Sequence, residues 1–130
     1  MKIALLGYGR MGKTIERYSI DRNHEIVFIL DKDYEKGNLG LADIAINFSV
    51  PEAAVSNIKI AMKKKIPVVC GTTGWLDNYD EITFFCNECN GAFIYASNFS
   101  IGVNIFFRIN EYLANLMKPR EEYQVSLEEI

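Results

Sequence analysis

The sequence contains few cysteines, a single histidine and no long apolar run. Its three cysteines are an odd number, which argues against a framework of disulfide bonds. No apolar run approaches the ~20 residues that a membrane-spanning helix requires, so we expect no membrane association. Residues 2–6 form an apolar segment directly after Met1, with no cleavable signal pattern. We therefore expect a cytoplasmic protein.

Neither sign of charge dominates the chain. It has 14 Lys and Arg against 17 Asp and Glu, which leaves a net charge of −3 and one basic block at residues 63–65. Nucleic-acid-binding domains usually carry a basic patch or stripe, so we expect no nucleic-acid partner. Cys86 and Cys89 have a spacing that zinc sites use, but a zinc site requires a second pair of ligands. We interpret them as neighbours on one helix and expect no metal ion.

Strand-like and helix-like segments alternate along the 130 residues, of which 49% are hydrophobic. This length suits one domain with a packed core. Alternation of this kind predicts an α/β fold, a Rossmann-like doubly wound parallel sheet with helices on both faces. The patterns predict strands at residues 2–6, 25–30, 44–48, 67–70, 92–96 and 123–130, helices at 13–20, 50–64, 77–87 and 101–117, and a polar loop at 33–40.

The first predicted strand runs directly into a loop with the spacing Gly-x-Gly-x-x-Gly, and a helix follows. In such a loop the first glycine permits a tight turn, the second admits a pyrophosphate and the third lets the helix pack closely. Asp31 ends the second strand about 20 residues later, where an acid can accept ribose hydroxyls. The sequence therefore predicts a dinucleotide site, unless the loop is a structural turn beside a chance acid. The loop residues are Gly7, Tyr8, Gly9, Arg10, Met11 and Gly12.

Small and polar residues also follow the later strands, and an open parallel sheet binds its ligands beyond the carboxyl ends of its strands. Gly71 and Gly74 would let the backbone approach a ring, and the hydroxyls of Thr72 and Thr73 would suit a carboxamide. Phe99 would pack on one face of that ring. These segments predict one pocket at one edge of the sheet. The alternative for the two-glycine segment is a turn that needs a positive φ.

Two helix starts can be predicted from their capping residues. Ser49 is expected to be the N-cap of the second helix, with Pro51 in the first turn and Glu52 three residues after the cap. The last helix is expected to begin after Asn98 or Ser100, either of which can cap it. A helix cap is therefore an alternative to a ligand-binding role for the residues that precede the last helix.

Four motifs follow one another along nearly the whole chain. They are G-R-M-G at residues 9–12, I-N-F-S at 46–49, C-G-T-T-G at 70–74 and A-S-N-F-S-I-G-V-N at 96–104. Together they resemble the dihydrodipicolinate reductase family, the 4-hydroxy-tetrahydrodipicolinate reductases of bacterial lysine biosynthesis. The chain departs from the family in a shorter first loop, a shorter segment between the second and third strands, and Ser97 where a proline is usual.

The resemblance implies a two-domain cytoplasmic enzyme that reduces a cyclic dicarboxylate, 4-hydroxy-tetrahydrodipicolinate, with NAD(H) or NADP(H). It implies a dinucleotide-binding domain at residues 1–121, the start of a substrate and tetramerisation domain at 122–130, and catalytic residues beyond residue 130. The full-length protein is then expected to be a homotetramer, and this chain alone a monomer without turnover. Another amino-acid-pathway dehydrogenase and a nonenzymatic NAD(H)-sensing module remain open as alternatives.

The resemblance also implies roles for individual residues. Asp31 would bind the adenosine ribose and favour a free 2′-hydroxyl, whereas Lys32 would accept a 2′-phosphate, so both cofactors are expected with some preference for NADH. Thr73 would lie close to the substrate as well as the cofactor. The implied cofactor-binding residues are Gly7, Tyr8, Gly9, Arg10, Met11, Gly12, Asp31, Lys32, Phe48, Ser49, Gly71, Thr72, Thr73, Ala96, Ser97, Asn98 and Phe99.

Overall fold

The computed structural model describes residues 1–126 and residue 128. The chain divides into two compact units, Met1–Ser97 and Asn98–Ile130, and each unit is described by itself. The domain boundary expected between residues 121 and 122 stays a prediction. Among the described residues, no helix combines the length and the apolar character needed to cross a membrane.

The first unit combines six strands and three helices. The strands are β1 (Lys2–Leu6), β2 (Glu25–Asp31), β3 (Tyr34–Gly37), β4 (Ile44–Asn47), β5 (Val68–Cys70) and β6 (Phe93–Tyr95), and the helices are α1 (Arg10–Asp21), α2 (Pro51–Lys63) and α3 (Tyr79–Glu88). The strands form one sheet in the order β3-β2-β1-β4-β5-β6. All its strand pairs are parallel except the antiparallel pair of β2 and β3. The predicted α/β, Rossmann-like sheet is confirmed.

Helices cover both faces of this sheet. Successive residues of a strand point to opposite faces, so β1 contributes to two separate cores. On one face, buried Leu6 belongs to a cluster with Ile58 of α2 and Ile82 of α3. On the other face, buried Leu5 belongs to a second cluster, against which Ile15 of α1 packs. The sheet is therefore doubly wound, as the alternation of segments predicts.

The prediction of a polar loop at residues 33–40 is wrong, because this segment contains the strand β3 and then the start of a short 3₁₀ turn. Gly37 has φ +89°, and a Cβ there would lie 2.1 Å from the carbonyl oxygen of Val27, so glycine lets the backbone close against β2. Leu39 is buried and anchors the following turn. All four side chains of β3 are exposed, so this edge strand has no apolar alternation to reveal it.

The observed helix starts differ from the predicted ones. α1 begins at Arg10, three residues earlier than expected and within the glycine loop. α2 begins at Pro51 with Val50 as its N-cap, so the prediction of Ser49 as the cap is wrong. The hydroxyl of Ser49 makes a different contact, since it donates to the carbonyl oxygen of Val50 at 3.3 Å, while the N–H of Ser49 donates to the hydroxyl of Thr72 at 2.8 Å.

The second unit holds one long helix, α4 (Ile101–Met117), which confirms the helix predicted from its apolar spacing. Ser100 is the N-cap, and its hydroxyl oxygen accepts a hydrogen bond from the N–H of Val103 at 3.4 Å. The side-chain oxygen of Asn98 accepts a hydrogen bond from the N–H of Ser100 at 2.8 Å. The capping interpretation of this segment is therefore confirmed.

The strand predicted at residues 123–130 is absent from the part of it that the structure describes. Residues 123–126 and 128 form no strand, and residues 127, 129 and 130 lie outside the described residues. An alternating pattern marks the two faces that a strand would have. A strand forms only where a neighbouring strand takes up its backbone hydrogen bonds, and the pattern carries no information about that neighbour.

Candidate functional site

The parallel strands of the first unit end at a common edge of the sheet. Leu6 at the end of β1 pairs with Leu30 of β2 and with Asn47 of β4, and Asn47 pairs in turn with Cys70 of β5. The residue after each of four strands adds one more hydrogen bond to the ladder, with N···O distances between 2.7 and 3.2 Å. These four are Gly7, Phe48, Gly71 and Ala96. The structure thus brings together residues predicted for the site from four strands.

At two positions of the first loop, the surrounding backbone leaves room only for glycine. Gly7 has φ +98°, and a Cβ there would lie 2.2 Å from the carbonyl oxygen of Phe48. A Cβ at Gly12 would lie 2.3 Å from the carbonyl oxygen of Gly7. Because the obstructing atoms belong to the backbone, they cannot rotate away as a side chain can. The tight turn and the close approach of the helix predicted for these two glycines are confirmed.

Gly9 has the opposite surroundings at the N-terminus of α1. A Cβ there would meet no heavy atom of the described residues within 4 Å. Gly9 is the N-cap, and its carbonyl oxygen accepts the N–H of Lys13 at 3.1 Å. The amides of Arg10, Met11 and Gly12 precede that bond, so the geometry of an α-helix gives them no intrahelical acceptor. Such a helix start is suited to bind an anion.

A cavity of about 360 Å³ lies beside the glycine loop. Gly7 and Asp31 line it from the strand ends, and Ser49 and Val50 line it from the start of α2. A volume of this order lies at the lower end of the range for small-molecule sites, which are mostly apolar with a few polar groups. The other lining residues have this mixed character, namely Leu30, Lys32, Ala53, Ser56, Asn57 and Ile60.

Asp31 and Lys32 stand at the rim of this cavity because β2 turns back into β3. Asp31 pairs with Tyr34 across the hairpin, which leaves Lys32 and Asp33 as its two-residue turn. Asp31 and Lys32 are both exposed. A carboxylate can accept hydrogen bonds from ribose hydroxyls, and an ammonium group attracts phosphate. The structure therefore places both residues predicted for the ribose at one cavity.

The side chain of Tyr8 is engaged within the protein. Its hydroxyl donates a hydrogen bond to the carboxylate of Glu16 on α1. Its ring stacks 6.5 Å from that of Tyr34, and the ammonium group of Lys13 lies 5.8 Å from its centroid. The hydrogen bond to Glu16 and partial burial raise the pKa of Tyr8 above its ordinary value. The hydroxyl of Tyr8 is thus occupied by Glu16.

The two threonines after β5 lie in different environments. Thr72 is 5% exposed, and its hydroxyl oxygen accepts the N–H of Ser49 at 2.8 Å and lies 3.5 Å from the carbonyl oxygen of Asn47. The indole N–H of Trp75 donates to the carbonyl oxygen of Thr72 at 2.8 Å. Thr73 is exposed. The hydroxyl of Thr73, rather than that of Thr72, is placed to reach a ligand.

The glycines beside these threonines have separate roles. A Cβ at Gly71 would lie 2.2 Å from the ring of Phe48, so the absence of a side chain at Gly71 makes room for this ring. Gly74 has φ +78°, a conformation that favours glycine. The turn considered as an alternative for this segment is therefore present. It leaves Gly71 and the exposed Thr73 at the strand edge.

A buried polar network joins the sheet to the cavity. Asn47 is fully buried, with its side-chain nitrogen 3.5 Å from the sulfur of Cys70. Its side-chain oxygen accepts a hydrogen bond at 3.3 Å from Asn57, which lines the cavity. Burial raises the pKa of the Cys70 thiol, which keeps the thiol protonated and unreactive. Cys70 is therefore a structural residue rather than a nucleophile.

Sequence reasoning missed the contribution of α2 to the cavity. Val50, Ala53, Asn57 and Ile60 all line it. They are spaced three or four residues apart, which places them on one face of a helix. This spacing can be read from the sequence. What faces that side of the helix depends on the strand order, which brings β2 and β4 to either side of β1.

The last segment predicted for the site is divided between the two units. Ala96 and Ser97 follow β6 in the first unit, whereas Asn98 and Phe99 belong to the second. A ligand-binding role for these four residues stays a prediction. Across residues 1–126 and residue 128, no group of three or more His, Cys, Asp or Glu is placed to hold a metal ion.

The doubly wound sheet, the strand–glycine loop–helix unit and the acid at the end of β2 define a Rossmann-type α/β domain. Residues 26–99 match the family described as dihydrodipicolinate reductase, N-terminus. The chain belongs to the dihydrodipicolinate reductase family. The resemblance seen in the four sequence motifs is thereby confirmed.

Three 4-hydroxy-tetrahydrodipicolinate reductases are similar in sequence. The one from Christiangramia forsetii is 56% identical over 132 residues, which cover 100% of this chain and 55% of that protein. The one from Archaeoglobus fulgidus is 32% identical over 90% of this chain and 53% of its own length. The one from Methanocaldococcus jannaschii is 38% identical over 68% of this chain and 31% of its own length. The chain thus spans about half the length of the first two relatives, and less of the third.

Solved structures of two homoserine dehydrogenases have a similar fold. A putative homoserine dehydrogenase from Archaeoglobus fulgidus has a TM-score of 0.56 at 16% identity, covering 73% of this chain and 42% of that one. A hyperthermophilic archaeal homoserine dehydrogenase in complex with NADPH has a TM-score of 0.56 at 14% identity, covering 72% and 43%. At these identities the likeness shows a common fold.

Proposed function

We propose that this chain is the cofactor-binding part of a 4-hydroxy-tetrahydrodipicolinate reductase and that it binds NAD(H) or NADP(H). The observation that carries the proposal is the exposed start of α1 at Gly9, next to a cavity with Asp31 at its rim. The helix start favours a phosphate, and the acid suits ribose hydroxyls. The names of the three relatives and the NADPH in the complex of similar fold support the same cofactor class.

The pyrophosphate would be held by the first loop. Gly7 makes the turn, Gly9 leaves room for the ligand, and the amides of Arg10, Met11 and Gly12 supply the donors. The backbone of Tyr8 completes this loop, since its side chain is bonded to Glu16. The residues present therefore fit a pyrophosphate through backbone groups.

The adenosine part would occupy the cavity beside this loop. Asp31 would accept the ribose hydroxyls, and Lys32 would pair with a 2′-phosphate when NADP(H) is bound. The carboxylate disfavours that phosphate, so both cofactors are used with some preference for NADH. Apolar side chains of the cavity wall, among them Val50 and Ile60, would contact the base.

The nicotinamide end would lie at the ends of β4, β5 and β6. Phe48 and Ser49 would flank the cofactor, and Gly71 and Thr73 would hold the carboxamide, with Thr73 also near the substrate. Ala96 and Ser97 complete this part of the proposal, and Asn98 and Phe99 are assigned to it by the family resemblance. When bound, the reduced nicotinamide supplies a hydride, while the protein binds and orients the reactants.

For the whole protein we propose the reduction of 4-hydroxy-tetrahydrodipicolinate to tetrahydrodipicolinate, in lysine and diaminopimelate biosynthesis. The groups that bind and protonate this dicarboxylate would belong to the part of the reductase that the relatives have and this chain does not cover. The chain alone would bind cofactor and show negligible turnover. The complete enzyme would be a cytoplasmic homotetramer.

The test is a titration of the chain with NADH, NADPH and ADP-ribose. Trp75 is the one tryptophan of the chain, so its fluorescence reports binding without interference from others. We expect saturable binding of both reduced cofactors, and tighter binding of NADH than of ADP-ribose. No binding of any of the three would overturn the proposal. Equal affinity for NADH and ADP-ribose would show that the nicotinamide end is not held.

A further inference from the structure

The hydroxyl of Thr72 makes hydrogen bonds on both sides within the protein. It accepts a hydrogen bond from the N–H of Ser49 at 2.8 Å. It also donates to the carbonyl oxygen of Asn47, with 3.5 Å between the two oxygens. A hydroxyl has one hydrogen to donate and two lone pairs, so these two partners take its donor and one acceptor site. The residue is buried, unlike Thr73 directly after it. Thr72 is thus unsuited to bind a ligand through its side chain.

The same residue is also held by its main chain. The indole N–H of Trp75 donates to the carbonyl oxygen of Thr72 at 2.8 Å. Trp75 is itself 2% exposed, and its ring meets the ring of Tyr95 edge-on at 5.4 Å. Thr72 is therefore fixed at two points, its hydroxyl to the loop after β4 and its carbonyl to the core.

We propose that Thr72 is a positioning residue that locks the loop after β5 to the loop after β4. Ser49 lies on one loop and lines the cavity, while Gly71 and Thr73 flank Thr72 on the other. Fixing Thr72 fixes the backbone at Gly71 and Thr73, the two groups assigned to the nicotinamide end. This inference rests on the proposed binding of a nicotinamide cofactor. Of the two adjacent threonines, Thr72 then positions the loop and Thr73 contacts the ligand.

A purely structural role of Thr72 and a positioning role predict different changes in ligand affinity. Valine has nearly the shape of threonine, but its methyl group cannot accept the N–H of Ser49, so Thr72→Val removes the lock and leaves that N–H without this acceptor. Loss of general stability would weaken NADH and ADP-ribose alike. Loss of the lock alone releases Gly71 and Thr73, which the ADP-ribose part does not contact, whereas the loop after β4 keeps the hydrogen bond from the N–H of Phe48 to the carbonyl oxygen of Leu6 at 2.9 Å. The ratio of the two affinities therefore distinguishes positioning from stability.

The experiment compares Thr72→Val with the conservative Thr72→Ser and the neighbouring control Thr73→Val. Dissociation constants for NADH and ADP-ribose are measured well below each melting temperature, and exchange of the Ser49 amide hydrogen is followed by NMR. Thr72→Val is expected to raise the NADH constant about tenfold and leave that of ADP-ribose within about twofold, since a lost buried hydrogen bond has effects of this order. It should also speed exchange at Ser49. Thr72→Ser should restore both, and Thr73→Val should leave exchange at Ser49 unchanged.

Two other results would contradict the inference, and a third would contradict the proposed function. Equal losses for NADH and ADP-ribose, or unchanged exchange at Ser49, would show that Thr72 is only structural or not engaged. If the unaltered chain binds neither ligand, the proposed function itself fails. If Thr72→Val does not fold, Trp75→Phe releases the carbonyl of Thr72 and keeps an aromatic ring, and its affinities are measured by calorimetry because the tryptophan signal is lost. It should weaken NADH more than ADP-ribose, and an equal effect on both would overturn the inference.

Discussion

Gly12→Ala tests how closely α1 approaches the end of β1. The added Cβ would lie 2.3 Å from the carbonyl oxygen of Gly7, well inside normal contact. Alanine favours a helix over glycine by about 1 kcal/mol, which works against the clash. Overpacking costs typically 1–3 kcal/mol, and an obstructing backbone atom points to the upper end of about 3 kcal/mol. The expected net loss of unfolding free energy is therefore about 2 kcal/mol.

Gly9→Ala is the matched control in the same loop. Its Cβ would enter open space within the described residues, and Gly9 has φ −74°, which any residue adopts. A weaker N-cap and a less flexible unfolded chain offset each other, so its stability should change by less than about 0.5 kcal/mol. The added methyl group would instead occupy the space proposed for the pyrophosphate.

Thermal unfolding and NADH titration of both variants separate these effects. A loss of about 2 kcal/mol lowers the melting temperature of a domain of this size by roughly 10 °C, so Gly12→Ala should show such a shift. Gly9→Ala should melt within about 2 °C of the unaltered chain, and its NADH affinity should fall at least about tenfold. An unchanged melting temperature for Gly12→Ala would refute the close packing. Full NADH affinity in Gly9→Ala would refute the assignment of the pyrophosphate.

Three further predictions concern single side chains. Asp31→Ala should raise the NADH dissociation constant about tenfold and leave that of NADPH within about twofold in the same titration. The reason is that the acid binds only a free 2′-hydroxyl, so equal losses of affinity for the two cofactors would contradict this role. In the native chain, Cys70 should react with iodoacetamide more slowly than Cys86, as judged by mass spectrometry, because burial raises the pKa of Cys70. Equal rates would count against the buried position of Cys70. The hydrogen bond from Lys59 lowers the pKa of Glu81, so the pair stabilises the fold above the ordinary pKa of a glutamate and this support is lost as pH falls through the lowered value. Glu81→Gln should remove that part of the acid dependence of the melting temperature, and an unaltered pH profile would speak against the ion pair.

The sequence is sufficient to predict the parts of the fold that depend on local chemistry. The apolar run of β1 and the glycines after it predict a strand, a tight turn and a helix, and the positive φ of Gly7 and the close contact of Gly12 with Gly7 agree with this prediction. The cap of α4 is predicted for the same reason, because Ser100 bonds to a residue three positions later. Interactions within one turn of chain can be read from residue types and their spacing.

The rest depends on contacts between residues far apart in sequence. The loop that contains Ser49 is held by Thr72, 23 residues later, whose hydroxyl accepts the N–H of Ser49. The same contact makes Thr72 buried and Thr73 exposed, a difference that two identical letters cannot reveal. β3 escapes prediction because its side chains are exposed and its pairing is made by the backbone. The role of α2 at the cavity likewise requires the order of the strands.

A map of amide chemical-shift changes on adding NADH to the isotope-labelled chain tests directly whether the strand edge binds the cofactor. We expect the largest changes at the start of α1, at Asp31 and Lys32 and at Ser49, with further changes at Gly71 and Thr73 that ADP-ribose does not produce. Changes confined to other surfaces, or no changes at saturating NADH, would contradict the claim that this strand edge is a nicotinamide-cofactor site.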